Sequence, residues 1–168
     1  TAVNRGGHSS VPRPDNAIYA LANALTAVER HRFPAMINDA TRASFEMLAK
    51  GDSGQFGELL RRYLADPQDR ETADLLEAMD PGSTRTRCVA TMLSGGHAPN
   101  ALPQKAEANV NCRVYPTQSA ESVRAELAAA IGDTTVQVII RSQRPASPPS
   151  ALLPEVMQRL EAAHSAIV

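Results

Sequence analysis

The chain has no tryptophan, three tyrosines and three phenylalanines among its 168 residues, so its core must be built mainly from Ala, Leu, Val and Ile. No apolar run approaches the roughly 20 residues that cross a bilayer, which argues against a membrane-embedded protein. The formal charge is −1 and no basic run is present, which argues against nucleic acid as a partner. None of the four histidines (His8, His31, His97, His164) falls in an H-x-D or H-E-x-x-H pattern, and there is no Glu–Glu pair and no C-x-x-C. A hydrolytic metal site needs at least three N, O or S ligands in a compact cluster, so no metal is expected on this chain itself. A G-x-S-x-G elbow and a P-loop are also missing. Thr1 rather than Met opens the chain and no signal peptide is visible. TAVNR reads as the back half of a strand. The chain is therefore expected to be a fragment of a longer protein, and its compartment is not set by this terminus.

What is present is concentrated in two stretches. GGHSSVPRP (residues 6–14) and GGHAPNALPQKAEANVNCRVYP (residues 95–116) each set a Gly pair and a His beside a structured turn. Glycine lets backbone amides approach a ligand, and histidine exchanges protons near neutral pH. The second stretch runs into Lys105–Tyr115, where Ala106, Ala108, Val110, Cys112 and Val114 alternate with Glu107, Asn109, Asn111 and Arg113. That is a strand with one buried and one polar face. Arg113 stands on the polar face, where a fixed guanidinium can clamp a carboxylate with two hydrogen bonds.

Length predicts one domain, or one with an appendage. Thr1–Arg5 reads as a strand end. Asp15 or Asn16 caps a helix running to about His31, which Phe33-Pro34 breaks. Three short amphipathic helices follow (Asn38–Ala49, Gln55–Leu64, Asp69–Met79) and read as an insertion over about 34–82. Thr84–Leu93 is a strand, with Val89, Thr91 and Leu93 alternating against Cys88, Ala90 and Met92. After the Gly95–Pro103 loop and the 105–115 strand, Thr117 or Ser119 caps a helix through Ile131, and Gly132 stops it. Thr135–Ile140 is a short β-rich strand. Residues 141–150 form a Pro- and Ser-rich linker, and a last helix covers about Leu153–Ile167, with Val156, Met157, Leu160 and Ala163 as its stripe. Without insertion and tail the order is β-α-β-β-α-β. It predicts an α+β, ferredoxin-like fold: a four-stranded antiparallel sheet with helices on one face and Arg113 on the other. Cys88 and Cys112 fall nearly opposite each other if their strands form a hairpin. A cross-strand disulfide is conceivable, and two buried free thiols is the favoured expectation. His31 and His164 are expected on helix surfaces without a role.

GGHSSVP, a capped helix and then GG-x3-NALP-x2-A-x-A-x2-NCR-x2-P resemble the lid, or dimerisation, domain of the di-zinc exopeptidases. That family includes aminoacylase, glutamate carboxypeptidase, carnosinase and succinyl-diaminopimelate desuccinylase. The H-S-S-x-P and N-A-L-P forms look closest to its carboxypeptidase S branch, with its N-acyl-amino-acid hydrolases. The resemblance covers Thr1 to Ile140. It implies a zinc-dependent metallopeptidase or amidohydrolase whose two zinc ions sit on a separate catalytic domain flanking the lid, so that the fragment alone is inactive. It implies a homodimer. His8 matches the lid histidine that reaches the partner subunit's active site and stabilises the oxyanion. Asn100 matches an asparagine that binds the substrate, and Arg113 the arginine that grips the carboxylate of a peptide or N-acyl amino acid. His97 matches no fixed position. Residues 151–168 would begin the returning catalytic domain. The contrasting expectation is a ferredoxin-like regulatory or assembly module that binds a small amino acid.

Overall fold

The computed structural model of the chain describes residues 1–141 and 147–165. In chain order its elements are β1 (Ala2–Val3), β2 (Gly7–His8), α1 (Ala17–Arg30), α2 (Asp39–Gly51), α3 (Gln55–Ala65), α4 (Arg70–Met79), β3 (Arg87–Gly95), β4 (Ala101–Leu102), β5 (Lys105–Arg113), α5 (Ala120–Ile131) and α6 (Pro154–Ser165). The fold is α+β, in two units: Thr1–Pro34 with the described chain from Thr86 to Arg141, and Ala35–Arg85 with the described chain from Ser147 onward.

In the first unit β5 is central, with antiparallel neighbours β1 and β3. The alternation read from residues 105–113 holds: Ala106 is buried, while Asn109, Asn111 and Arg113 are exposed. α1 lies across β1, β3 and β5, and α5 packs along α1. Asn16 starts α1 by accepting hydrogen bonds from the amides of Ile18 and Tyr19. Its Ala17, Leu21 and Ala24, at helical spacing, meet Ala2, Ala106 and Val136 in one cluster. Val28 and Phe33 meet Val123 and Leu127 in another. Ser119 caps α5 in a reciprocal box with Ser122, and Gly132, at φ 66°, ends it.

Three expectations about this unit are corrected. The fourth strand does not form: Val136 makes a single antiparallel bridge to Ala2, so the sheet has three strands among the described residues. The neighbour it would pair with, β1, is two residues long, and Asp133 draws Thr135 into a turn with bonds to its amide (2.8 Å) and hydroxyl (2.6 Å). The regular alternation of β3 is broken by a bulge between Ala90 and Met92. The extra residue, Thr91, turns to Asn109 (2.7 Å), and Leu93 then pairs with Ala108 on the helix side rather than sharing a face with Val89. Cys88 and Cys112 are not free thiols. They are directly opposed in the β3–β5 ladder, Cα atoms 4.1 Å apart, and joined as a disulfide packed against the α1/α5 cluster.

The second unit has its own core of Phe45, Ala49, Leu59, Leu60, Tyr63, Ala73 and Leu76 from α2, α3 and α4. Asn38 and Asp69 cap α2 and α4. Gly57 is required by packing, since a Cβ there would lie 1.9 Å from the carbonyl oxygen of Asp52. Tyr63 is fully buried and its hydroxyl donates to the Met36 carbonyl (2.9 Å). The amide of Met36 in turn donates to the Thr84 carbonyl (2.8 Å), so the chain enters and leaves the helices at one point. In α6, Val156 and Ala163 are exposed and Met157 is half-buried. Ile167, residues 142–146 of the expected linker, and the side chains of Leu160 and His164 lie outside the described residues.

Candidate functional site

The two glycine–histidine stretches meet through the backbone. Antiparallel pairing begins at Ala2↔Ala106 and Val3↔Lys105 and continues with the amide of Asn4 on the Gln104 carbonyl (2.8 Å). It lapses at Arg5 and Gly6, opposite Pro103, which has no amide proton to give. It resumes at Gly7↔Leu102 and His8↔Ala101 and closes with the Ser9 amide on the Asn100 carbonyl (2.9 Å). Gly6 makes the kink possible. Its φ is +75°, and a Cβ there would lie 2.7 Å from Cγ of Gln104. The side chain of Asn4 accepts from the Gly6 amide (2.9 Å) and holds the bend.

His8 and Asn100 are therefore neighbours, both exposed. The turn after His8 is closed by the Val11 amide on the His8 carbonyl (3.0 Å). Within it, Nδ1 of His8 lies 2.7 Å from the Ser10 hydroxyl and receives the Ser10 amide at 3.2 Å. Nε2 is left on the far side of the ring. Further along, Arg13 grips Asp15 with two bonds (2.8 and 3.0 Å), and this pairing holds the Asp15 carboxyl below the usual carboxylate range. An imidazole N–H and a neighbouring amide can stabilise a developing negative charge.

Arg113 is elsewhere. It is exposed and pairs with Arg87 at the far end of β5, seven residues beyond Ala106, or about 23 Å at strand rise. Alternation placed it on the open face correctly, but one copy of the chain does not bring it to His8 and Asn100. Between them on that face lies Glu107, whose carboxyl is held below its usual range mainly by a hydrogen bond from Lys105. His97 is exposed in the loop before Asn100. His31 is not an idle surface residue, as had been expected. It ends α1, pairs through Nε2 with Glu126 of α5 (2.9 Å) and meets the Phe33 ring edge-on. Ser10 and Glu126 were missed from sequence, and the only signal for Ser10 is its place two residues after His8.

Among the described residues no group of three or more His, Cys, Asp or Glu could hold a metal ion. No described helix is long and apolar enough to cross a membrane.

The family described as peptidase dimerisation domain matches residues 1–139. N-fatty-acyl-amino acid synthase/hydrolase PM20D1.1 of Danio rerio is 30% identical over 137 residues, covering 79% of this chain and 26% of that protein. N-fatty-acyl-amino acid synthase/hydrolase PM20D1 of Mus musculus is 28% identical over 145 residues (83% and 28%). Probable carboxypeptidase S-like 2 of Dictyostelium discoideum is 28% identical over 137 residues (79% and 25%). The chain thus spans about a quarter of the length of these relatives. No solved structure matches it.

Proposed function

Because the chain belongs to the peptidase dimerisation-domain family, we propose that it is the lid of a longer zinc-dependent amidohydrolase or exopeptidase acting on N-acyl amino acids or peptides with a free carboxylate. The single observation that carries this reading is the placement of Arg113 at one end of β5 and of His8 with Asn100 at the other. A lid working alone would leave its carboxylate clamp and its oxyanion donors too far apart for one substrate. A dimer removes the difficulty. The outer edge of β3 has no strand partner among the described residues, and its Val89, Met92 and Leu93 are 63%, 70% and 69% exposed. Two copies joined along that edge about a two-fold axis run antiparallel. Arg113 of one copy then lies at the same end of the combined sheet as His8 and Asn100 of the other.

In such a site Arg113 binds the substrate carboxylate through both guanidinium forks. His8 Nε2–H and the Asn100 amide of the second copy face the scissile carbonyl. They stabilise its oxygen more strongly as charge develops on it, which lowers the barrier rather than only tightening binding. Among the described residues no cluster fits a zinc site, and this reading assigns the two zinc ions and the activation of water to the catalytic domain.

The test is complementation in the full-length protein between His8→Ala and Arg113→Ala chains, assayed with N-acyl amino acids below KM. Each homodimer has two damaged sites. A mixed dimer sharing residues across the interface has one site with both groups intact, so activity returns. If mixed dimers form and stay inactive, the shared-site reading fails. If wild-type protein cleaves no N-acyl amino acid or peptide, the hydrolase reading fails.

A further inference from the structure

We infer that Ser10 is a positioning residue that fixes His8 as the tautomer carrying its proton on Nε2. This rests on the reading of His8 as an oxyanion donor and assigns the group that makes it a donor. Val11 closes the turn on the His8 carbonyl, and the turn folds Ser10 back over the imidazole. Two Ser10 groups then converge on one ring nitrogen: the amide at 3.2 Å and the hydroxyl at 2.7 Å from Nδ1. A hydroxyl can donate or accept, but a backbone amide only donates. Nδ1 must offer its lone pair to it, and the hydroxyl completes the arrangement by donating as well. A proton on Nδ1 would face the amide hydrogen head-on. The one proton of neutral imidazole is therefore on Nε2, on the side away from the turn.

The consequence is chemical. An oxyanion needs an N–H aimed at it, and the other tautomer would aim a lone pair, so the same ring in the same place would repel the charge. Ser9 is a natural control, because its amide is spent on the Asn100 carbonyl in the ladder. The Ser-Ser pair after His8 thus divides its labour: the first joins the two loops and the second sets the proton.

Two measurements test this. Nitrogen-15 NMR of the 168-residue chain, well above the ordinary imidazole value of about pH 6.5, should show His8 with Nε2 protonated and Nδ1 bare. Ser10→Ala keeps the amide bond and loses only the hydroxyl's, so it should raise the Nδ1–H fraction measurably. A dominant Nδ1–H signal, or no change in Ser10→Ala, overturns the inference. In the full-length protein Ser10→Ala should lower kcat about five- to ten-fold with KM held, about the worth of one hydrogen bond. Ser10→Thr should restore it and Ser9→Ala should leave it unchanged. In a His8→Ala background Ser10→Ala should cost nothing more, and an equal loss there would mean that Ser10 does not act through His8. A His8→Ala variant with unchanged kcat fails the underlying oxyanion reading, while the NMR result still decides the tautomer.

Discussion

Reducing the Cys88–Cys112 disulfide should loosen the first unit without touching the second. The bridge joins residues 24 apart in sequence. Releasing a closed loop of that size returns chain entropy to the unfolded state worth about 3.4 kcal/mol at 25 °C. The figure is an upper one, because a β-hairpin keeps its strand ends near each other even when largely unfolded. A loss of about 2–3 kcal/mol is therefore expected, enough to lower the melting temperature by on the order of 10 °C. The informative assay is amide hydrogen exchange with and without reductant, read strand by strand. Protection in β3 and β5 should fall about 30- to 150-fold, at 1.4 kcal/mol per factor of ten. Protection in the Leu60–Tyr63 segment, whose core is separate, should stay level. A Cys88→Ala/Cys112→Ala variant should match the reduced wild type and ignore reductant. Equal exchange in oxidised and reduced protein would refute the reasoning. So would two alkylatable thiols in denatured, unreduced protein, which would show the bridge unformed.

Leu60 is fully buried at the centre of the helical core, so Leu60→Ala should cost about 2–5 kcal/mol in urea denaturation, and a loss under 1 kcal/mol would mean that core collapses around the gap. The carboxyls of Asp15, Asp69, Glu121 and Asp133 are held below their usual range, chiefly by hydrogen bonds from Arg13, Thr72, Arg124 and Thr135. Their stabilisation is complete above the ordinary carboxyl value of about pH 4 and drains away as pH falls through the lowered folded values. Stability measured from pH 7 down to 2 should therefore hold until about pH 4 and then decline, and a decline already complete at pH 5 would contradict the assignment. Leu93→Glu places a charge on the open β3 edge and should shift the protein toward monomer in sedimentation velocity, whereas Glu29→Gln, on a solvent-exposed side of α1, should not.

Four helices were legible because each combines a 3.6-residue apolar period with a side chain suited to capping, at Asn16, Asn38, Asp69 and Ser119, while α3, behind Gly54, was legible from its period alone. β5 was legible because its alternation is unbroken. The bulge at Thr91 was hidden because the period-two pattern reads straight through it, and only pairing with Asn109 shows the slip. The β-rich residues 135–140 suggested a strand, but forming one depends on the length of the neighbour, which composition does not reveal. Disulfide formation depends on register in the same way. At the site, alternation told which face Arg113 takes but not that it stands at the opposite end from His8. β2 and β4 are two residues each, too short for any period, so the ladder joining His8 to Asn100 was invisible. His31 was misread because its partner lies 95 residues away.

The hydrogen bond from the Met36 amide to the Thr84 carbonyl has a consequence for how this chain can vary over evolution. A segment whose two ends touch is a cassette. Everything between residues 36 and 84 can grow, shrink or be exchanged while the two connections stay where they are, because the gap to be bridged is no wider than a tight turn. The helices hold an apolar core of their own. Selection can therefore rewrite their outer surfaces as an accessory module without repaying the cost in the β-sheet. Sequence drift should be fastest on that module and slowest in the kinked ladder from Ala2 to Ser9.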